Sequence, residues 1–337
     1  MKKTALVTGI AGQDGAYLAK LLLEKGYRVI GGDRRNSRGS LWRLEEIGIL
    51  DDVEIVYLEM AELTNIYRTI EKFELSEIYN LAAQSFVSAS FELPLLTSEV
   101  SGTSVLRMLE AVRQINPEIK FYQASTSEMF GKVEHSPQTE KTRFYPRSPY
   151  GVAKLFGHWM TVNYRESYGM FAVSGILFNH ESPMRSKEFV SRKITSGMAE
   201  MKNGGKTLEL GNLNTKRDWG FAGDYVEGMW LMLQQQTPDD YVLATGKNYS
   251  VRDFVNIAAP YFGFDIEWEG ENTEEKAIDK KTGREIVRIN PEFFRPAEVF
   301  ELLGDSSKAK LELGWEPKVS FEKLVEIMCV SELRRNS

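Results

Sequence analysis

Short apolar runs alternate with amphipathic stretches along the first half of the chain. Residues 5–7 form an apolar run that predicts a strand over residues 5–8, and in residues 14–25 Leu18, Leu21 and Leu22 share one helical face. The same alternation predicts further strands at residues 28–32, 53–58, 77–82, 120–124 and 171–178, and further helices at 65–73, 97–114 and 149–168. Such alternation specifies a parallel sheet covered by helices on both faces, with ligands bound at the carboxyl ends of the strands.

The pattern loosens after residue 179. Helices are predicted at residues 188–203, 224–235, 250–262, 305–313 and 321–333, and short strands at 208–210 and 241–244. Residues 268–288 are rich in Glu and Lys and poor in apolar residues, which favours a solvated loop or hairpin over a partner-binding charged segment. We therefore predict one α/β domain over residues 1–179, to which parts of 212–247 return, and a smaller mixed domain over 180–337.

Composition narrows the class of protein. The chain has 337 residues, 42% of them hydrophobic and 27% charged, as in an ordinary soluble protein of roughly two domains. A formal charge of −6 argues against a nucleic-acid partner, and the single cysteine fits a reducing cytoplasm. We expect no membrane span, because no apolar run is long enough to cross a bilayer. We also expect no secretory leader, because the start of the chain lacks the apolar segment of such a leader. The three histidines lack zinc-ligand spacing, so no metal is predicted.

A glycine-rich loop separates the first predicted strand from the first predicted helix. Gly9, Gly12 and Gly15 are spaced three residues apart. Glycine lets the backbone approach a pyrophosphate closely, and the free N–H groups at a helix start stabilise the anion. An ordinary glycine-rich turn is the alternative, but the strand before the loop and the helix after it favour a dinucleotide cradle. Its predicted contacts are Gly9, Ile10, Gly12, Gln13 and Asp14.

The end of the second predicted strand bears on the choice of dinucleotide. An acidic residue there accepts hydrogen bonds from the ribose 2′-hydroxyl of NAD, whereas arginine pairs with the 2′-phosphate of NADP. The chain offers both, as Asp33 followed by Arg34 and Arg35. Two adjacent arginines favour NADP, and Asp33 keeps NAD open as the alternative.

A second group of residues predicts hydride chemistry with an added acid or base. Tyr150 and Lys154 lie four positions apart on a predicted helix and so share a face. A neighbouring ammonium and an oxidised nicotinamide lower the pKa of a tyrosine, and the lysine can also hold the nicotinamide ribose. Thr126 follows the fifth strand, where its hydroxyl can bond the reacting sugar oxygen. Glu128 adds a carboxyl group, whose alternative role is to cap the next turn.

Six longer strings are more diagnostic than these short motifs. They are residues 121–131, 144–150, 162–169, 175–183, 216–220 and 294–299. They resemble the extended short-chain dehydrogenase/reductase family and, within it, the GDP-mannose 4,6-dehydratases, over nearly the whole chain from Thr8 to Trp315. The resemblance implies a Rossmann-type doubly wound parallel sheet, a smaller mixed α/β domain that binds a nucleotide sugar, and an NADP-dependent lyase.

The resemblance also implies a reaction. GDP-mannose would become GDP-4-keto-6-deoxymannose plus water, as a first step towards GDP-deoxyhexoses such as GDP-fucose or GDP-rhamnose. Tyr150 would take the proton of the 4-hydroxyl while C4 gives its hydride to NADP⁺. Glu128 would remove the C5 proton and then protonate the departing 6-hydroxyl, and the hydride would return to C6.

The resemblance supports the residues singled out above and adds others. The cofactor contacts it implies, beyond the glycine loop, are Arg34, Arg35, Glu59, Met60, Leu81, Ala82, Ala83, Ser85, Tyr150, Lys154, His180 and Arg185. The substrate contacts it implies are Ser85, Thr126, Glu128, Asn179, Arg192, Lys193, Gly211, Arg217, Arg295 and Glu298. The family usually has Asp-Leu or Asp-Met where this chain has Glu59-Met60.

The resemblance implies a homo-oligomer as well. Residues 36–43 resemble a segment that reaches a neighbouring subunit in tetrameric relatives, and the helices at 97–114 and 149–168 correspond to the family's dimer bundle. We therefore expect a tetramer built as a dimer of dimers.

Two other functions remain open from the sequence. A nucleotide-sugar 4-epimerase or 4-reductase of the same superfamily keeps Tyr150 and Lys154 but does not require Glu128. A non-catalytic NADP-sensing or scaffold protein is disfavoured, because a sensor has no need of the complete set of Tyr150, Lys154 and Thr126.

Overall fold

The computed structural model describes residues 2–35, 41–294, 299 and 301–336. Its strands, in chain order, are β1 Thr4–Thr8, β2 Arg28–Asp33, β3 Glu54–Tyr57, β4 Glu77–Asn80, β5 Lys120–Thr126, β6 Ala172–Leu177, β7 Asn179–Glu181, β8 Leu208–Leu210, β9 Lys216–Phe221, β10 Tyr241–Leu243, β11 Asn248–Ser250, β12 Ile266–Glu269, β13 Lys276–Asp279, β14 Glu285–Ile289 and β15 Glu301–Leu302. Its α-helices are α1 Gln13–Glu24, α2 Trp42–Glu46, α3 Leu63–Lys72, α4 Val87–Glu92, α5 Pro94–Ser98, α6 Ser104–Ile115, α7 Pro149–Tyr168, α8 Val190–Lys202, α9 Ala222–Leu233, α10 Val251–Ala258, α11 Ser307–Leu313 and α12 Phe321–Arg335.

Seven of the described strands form one parallel sheet in the order β3-β2-β1-β4-β5-β6-β10. The order reverses between β1 and β4, and such a reversal opens a crevice at the carboxyl edge of a sheet. The parallel sheet predicted from the alternation and the Rossmann-type arrangement implied by the resemblance are therefore confirmed. Strand β10 joins this sheet beside β6, although it follows β9 of the smaller part. The domain boundary at residue 179 stays a prediction.

Helices cover both faces of this sheet because successive strand residues point to opposite sides. On β1, Val7 belongs to an apolar cluster with Leu18 of α1 and Met229 of α9. Its neighbour Leu6 belongs to a separate cluster with Met108 of α6. All five side chains are fully buried, so both layers are held by apolar burial.

The helix that carries Tyr150 has the bounds predicted from the sequence. Ser148 accepts a hydrogen bond from the N–H of Gly151 at 3.0 Å, and Pro149 occupies the first turn. Gly169 ends α7 with a φ of 68°. The long helix predicted at residues 97–114 differs, because α5 and α6 are joined through a π-helical turn over Glu99–Thr103.

Among the described residues, the smaller part of the molecule has two further sheets. In one, β9 pairs with β7, β11 and β15; the other has the order β12-β13-β14-β8. The prediction for residues 268–288 is right about a hairpin, since β13 and β14 are antiparallel, but wrong about full solvation. Ala277, Ile286 and Val287 are fully buried, because few apolar residues suffice to cover one face of a short sheet.

The described helices include none that is both long and apolar enough to cross a membrane. A cytoplasmic location stays a prediction.

Candidate active site

A cleft of about 440 Å³ opens at the carboxyl edge of the seven-stranded sheet. Eighteen of the residues predicted for the site lie in its wall: Gly9, Gly12, Gln13, Asp14, Arg34, Glu59, Met60, Leu81, Ala82, Ala83, Ser85, Thr126, Glu128, Tyr150, Lys154, Asn179, His180 and Arg185. The structure thus brings the predicted cradle and the predicted proton-handling residues into one cavity.

The glycine loop has the geometry of an anion cradle. Gly9 has a φ of 66°, and a Cβ on Gly15 would lie 2.5 Å from the Gly9 carbonyl oxygen. Helix α1 begins at Gln13, and its N-cap residue Gly12 supplies no side-chain cap. The positive end of the α1 dipole therefore faces the cleft, which suits a pyrophosphate. The Ile10 side chain is fully buried in the apolar core, and its predicted cofactor contact stays a prediction.

Arg43 supports this loop, and the sequence did not single it out as a site residue. Its Nη1 donates to the Ala11 carbonyl oxygen at 2.8 Å, and its Nε donates to the Met184 carbonyl oxygen at 2.6 Å. Burial, followed by the charge of Arg192, lowers the pKa of Arg43 to about 10. The resemblance placed Arg43 in a segment that reaches a neighbouring subunit in tetrameric relatives, and that contact stays a prediction. Within the chain, the Arg43 side chain joins the glycine loop to the residues after β7. Residues 36–40 of that segment lie outside the described residues.

Asp14 and His180 form a pair at the edge of the cradle. The Nδ1 of His180 donates to the Phe178 carbonyl oxygen at 2.7 Å, and its Nε2 lies 2.8 Å from Oδ2 of Asp14. Burial lowers the pKa of His180, but the charge of Asp14 outweighs it and the pKa is raised. Burial likewise opposes ionisation of Asp14, yet His180 holds the pKa of that carboxyl at about 2. The negative charge beside the anion cradle is therefore balanced within the protein.

The predicted catalytic residues converge around β5 and α7. Lys154 is buried and its Nζ donates to the Ala124 carbonyl oxygen at 2.8 Å, while lying 5.8 Å from the centre of the Tyr150 ring. Burial lowers the pKa of Lys154 to about 8. The sequence predicted a lowered pKa for Tyr150, whereas burial raises it and the hydrogen bond with Thr126 only partly offsets that rise. The protein alone therefore keeps the phenol protonated at neutral pH.

Glu128 lies on the short turn that follows β5. Its backbone N–H donates to Oγ1 of Thr126 at 3.3 Å. The turn packs directly on α7, because a Cβ on Gly151 would lie 2.8 Å from the Glu128 carbonyl oxygen. Its carboxylate is close enough to contribute to the raised pKa of Tyr150. A carboxyl group and a phenol thus share one cavity, as acid–base chemistry on adjacent carbons requires.

Other predicted substrate residues belong to the smaller part of the molecule. Arg192 is buried and its Nε lies 2.9 Å from Oε1 of Glu332 on α12. A carboxylate 140 positions further along the sequence therefore balances its charge. Lys193 places its Nζ 3.6 Å from the centre of the Phe293 ring. A Cβ on Gly211 would lie 3.0 Å from the Phe293 carbonyl oxygen.

The remaining predicted contacts stand as follows. Arg217 is buried on β9 and donates to the Lys216 carbonyl oxygen at 2.8 Å. Arg35 is exposed beside Arg34 at the end of β2. Arg295 and Glu298 lie outside the described residues. The substrate roles of Arg192, Lys193, Gly211 and Arg217 stay predictions.

Comparison with known proteins places the chain in a family. A family model described as GDP-mannose 4,6 dehydratase matches residues 6–328. The GDP-mannose 4,6-dehydratase of Sinorhizobium fredii is 51% identical over 331 residues, which cover 96% of this chain and 94% of that protein. The chain belongs to the GDP-mannose 4,6-dehydratase family. The human protein of that name is 49% identical over 337 residues, covering 97% of this chain and 90% of its own.

Solved structures confirm the fold of this family member. A UDP-glucose 4-epimerase from Thermotoga maritima superposes with a TM-score of 0.83 and covers 98% of each chain. Its sequence identity is 23%, so this likeness shows the shared architecture alone. The separation of dehydratase from epimerase therefore depends on the sequence family and on the residues in the cleft.

Proposed function

We propose that this chain is a hydro-lyase that converts GDP-mannose to GDP-4-keto-6-deoxymannose and water. The observation that carries the proposal is the meeting of Glu128 with Tyr150, Lys154 and Thr126 in the wall of one cleft. Membership of the GDP-mannose 4,6-dehydratase family supports the same reaction. A redox enzyme acting only at C4 would not need a carboxyl group on the turn after β5.

The residues of the cleft fit a nicotinamide dinucleotide. The glycine loop and the start of α1 would hold its pyrophosphate, since a Cβ on Gly15 would fill the turn that the anion approaches. Lys154 would hold the nicotinamide ribose. When bound, the nicotinamide supplies a hydride acceptor for C4 and a hydride donor for C6.

The proton steps belong to the protein. Tyr150, with Thr126 bonded to the sugar oxygen, takes the proton of the 4-hydroxyl as the 4-ketone forms. The ketone acidifies the C5 proton, which the Glu128 carboxylate removes and then delivers to the departing 6-hydroxyl as water leaves. Tyr150 returns its proton to C5 when C6 receives the hydride. Both residues thereby end the cycle in the protonation states in which they began it.

The test of this function is incubation with GDP-mannose and less NADP⁺ than substrate. We expect complete conversion to a product lighter by one water, with no accumulation of NADPH. Turnover of a UDP- or dTDP-linked hexose, with none of GDP-mannose, would contradict the substrate assignment.

NADP is the dinucleotide that we propose. Arg34 lies in the wall of the cleft at the end of β2, with Arg35 exposed beside it. A hydrogen bond to a charged group contributes about 1.5–3 kcal/mol, so replacing both arginines with alanine, which removes at least one such bond to the 2′-phosphate, is expected to weaken NADP⁺ binding by at least about 10–100-fold. NAD⁺ binding should change little, because it lacks the 2′-phosphate. Calorimetric titration of both dinucleotides measures this.

Arg28 provides the matched control for that experiment. It is an exposed arginine at the opposite end of β2, paired with Glu54. Arg28→Ala should leave both affinities unchanged. Equal loss of NADP⁺ and NAD⁺ affinity in the Arg34/Arg35 variant would contradict the proposed preference for NADP.

We propose a homo-oligomer that associates through an exposed apolar face on α5 and α7. Leu95 is 86% exposed on α5, and Val152, Phe156 and Trp159 are exposed at helical spacing on α7. Because the two helices pack against each other, we expect their exposed residues to form one patch. A patch of this kind marks an association surface. The partner is a second copy of the chain, with the tetramer completed by a further contact between dimers.

Replacing Val152 and Trp159 together with glutamate is expected to halve the mass of the species seen by light scattering, because charges do not bury well in a symmetric interface. Leu311→Glu is the control, since Leu311 is 85% exposed on α11 of the smaller part. Unchanged mass in the Val152/Trp159 variant would locate the interface elsewhere.

A further inference from the structure

A chain of buried hydrogen bonds runs from the carboxyl ends of β1 and β4 to the middle of β5. Oγ1 of Thr8 donates to Oδ1 of Asn80 at 2.8 Å, and Nδ2 of Asn80 donates to Oε1 of Gln123 at 2.8 Å. Nε2 of Gln123 donates to the Ala124 carbonyl oxygen at 2.9 Å, and Nζ of Lys154 donates to the same oxygen at 2.8 Å. The four side chains are at most 3% exposed, so water does not compete for these bonds.

The groups at the two ends of this hydrogen-bonded chain determine which group donates and which accepts in each of its bonds. The backbone N–H groups of Leu81 and Ala82 each donate to Oγ1 of Thr8 at 3.0 Å, so the Thr8 hydroxyl hydrogen is left for Asn80. At the other end a carbonyl oxygen can only accept, so Gln123 presents its NH₂ to it. Each amide is therefore held in one orientation, and reversing either would oppose two like groups in a buried site.

The two ends of this hydrogen-bonded chain lie at different parts of the cleft, one beside the glycine loop and the other in the catalytic group. Leu81 and Ala82 lie in the cleft wall, and a Cβ on Gly9 would lie 3.1 Å from the Cα of Ala82. The turn at these residues therefore packs against the glycine loop. At the other end the bound ammonium is that of Lys154, in the catalytic group. Gln123 is the middle link between the two.

We propose that Gln123 is a positioning residue that holds Lys154 and the turn at Leu81 and Ala82 in a fixed relation across the floor of the cleft. This inference rests on the proposed function, because it assigns the two ends to one bound dinucleotide. Gln123 acts through the Ala124 carbonyl oxygen and through Asn80. Without its amide, Nδ2 of Asn80 loses the acceptor Oε1 of Gln123, and the Ala124 carbonyl oxygen loses the Gln123 donor while Lys154 still donates to it.

Gln123→Met tests this, because methionine keeps the volume and removes both hydrogen bonds. Gln138→Met is the matched control: Gln138 is also buried and its amide also makes two hydrogen bonds, donating to the His135 carbonyl oxygen and accepting from the N–H of Leu303. Both variants should lose comparable thermal stability. Only Gln123→Met should weaken NADP⁺ binding, by about 10-fold in calorimetry, and lower kcat by about 10–100-fold with a smaller change in the KM for GDP-mannose.

Thr8→Val provides a second probe at the other end of the same chain. Valine has the shape of threonine without the hydroxyl group, so we expect a similar loss of NADP⁺ affinity and of kcat. Combined with Gln123→Met, the losses should be less than additive, because both changes break one network.

The outcomes separate this inference from the proposed function. If wild-type protein binds NADP⁺ and dehydrates GDP-mannose while Gln123→Met matches Gln138→Met in affinity and kcat, the positioning role is wrong and the function stands. Fully additive losses for Thr8→Val and Gln123→Met would also overturn the role. If the wild-type protein neither binds NADP⁺ nor dehydrates GDP-mannose, the proposed function itself fails.

Discussion

Glu128→Gln is expected to lower kcat for dehydration of GDP-mannose by about 10²–10⁴-fold, the usual contribution of a positioned acid or base. Glutamine keeps the size of the side chain but can neither take the C5 proton nor protonate the departing hydroxyl. Oxidation at C4 depends on Tyr150 and should survive. In a rapid-mixing experiment with excess enzyme and NADP⁺, the absorbance of NADPH should therefore rise and persist, whereas wild-type enzyme shows it only transiently.

Glu134→Gln is the control for that experiment. Glu134 is exposed on the segment that follows the same turn, so its replacement should leave both phases unchanged. Dehydration within a few-fold of wild type in Glu128→Gln would show that Glu128 is not the acid–base residue. A 4-epimerase or 4-reductase would then account better for the remaining Tyr150 and Lys154.

Tyr150→Phe is expected to remove both phases of the reaction, with a loss in kcat of about 10²–10⁴-fold. Phenylalanine retains the buried ring, so the packing of α7 is preserved while the base for the 4-hydroxyl is removed. Since burial raises the pKa of Tyr150, the charges of Lys154 and of the bound oxidised nicotinamide have to favour the phenolate during turnover. The same rapid-mixing experiment should show no rise in NADPH absorbance.

Tyr145→Phe serves as the control for Tyr150, because Tyr145 precedes the same helix and is 47% exposed. It should react like the wild type. A normal rise of NADPH absorbance in Tyr150→Phe would contradict the assignment of the base, and a lost NADP⁺ affinity in that variant would indicate a binding defect instead.

Local signals predicted much of this architecture. The parallel sheet follows from the alternation of apolar runs and amphipathic stretches, because that pattern leaves few other ways to bury both faces of the strands. Helix α7 begins after a capping Ser148 and ends at Gly169, and both signals lie within the helix's own neighbourhood. The glycine loop is equally local, since Gly9 and Gly15 are required by the turn itself.

The partners of charged and polar side chains could not be predicted in this way. Asp14 and His180 are separated by 166 positions, and Arg192 and Glu332 by 140. Such pairs form only after the fold has brought distant elements together, so no spacing along the sequence indicates them. The buried network through Gln123 was missed for the same reason.

The most direct measurement of the central claim uses GDP-mannose that carries deuterium at C4. With wild-type enzyme and less NADP⁺ than substrate, the account predicts a 4-keto-6-deoxy product that carries the deuterium at C6. Deuterium returned to C4 of an intact hexose, or transferred to an accumulating pool of NADPH, would contradict it.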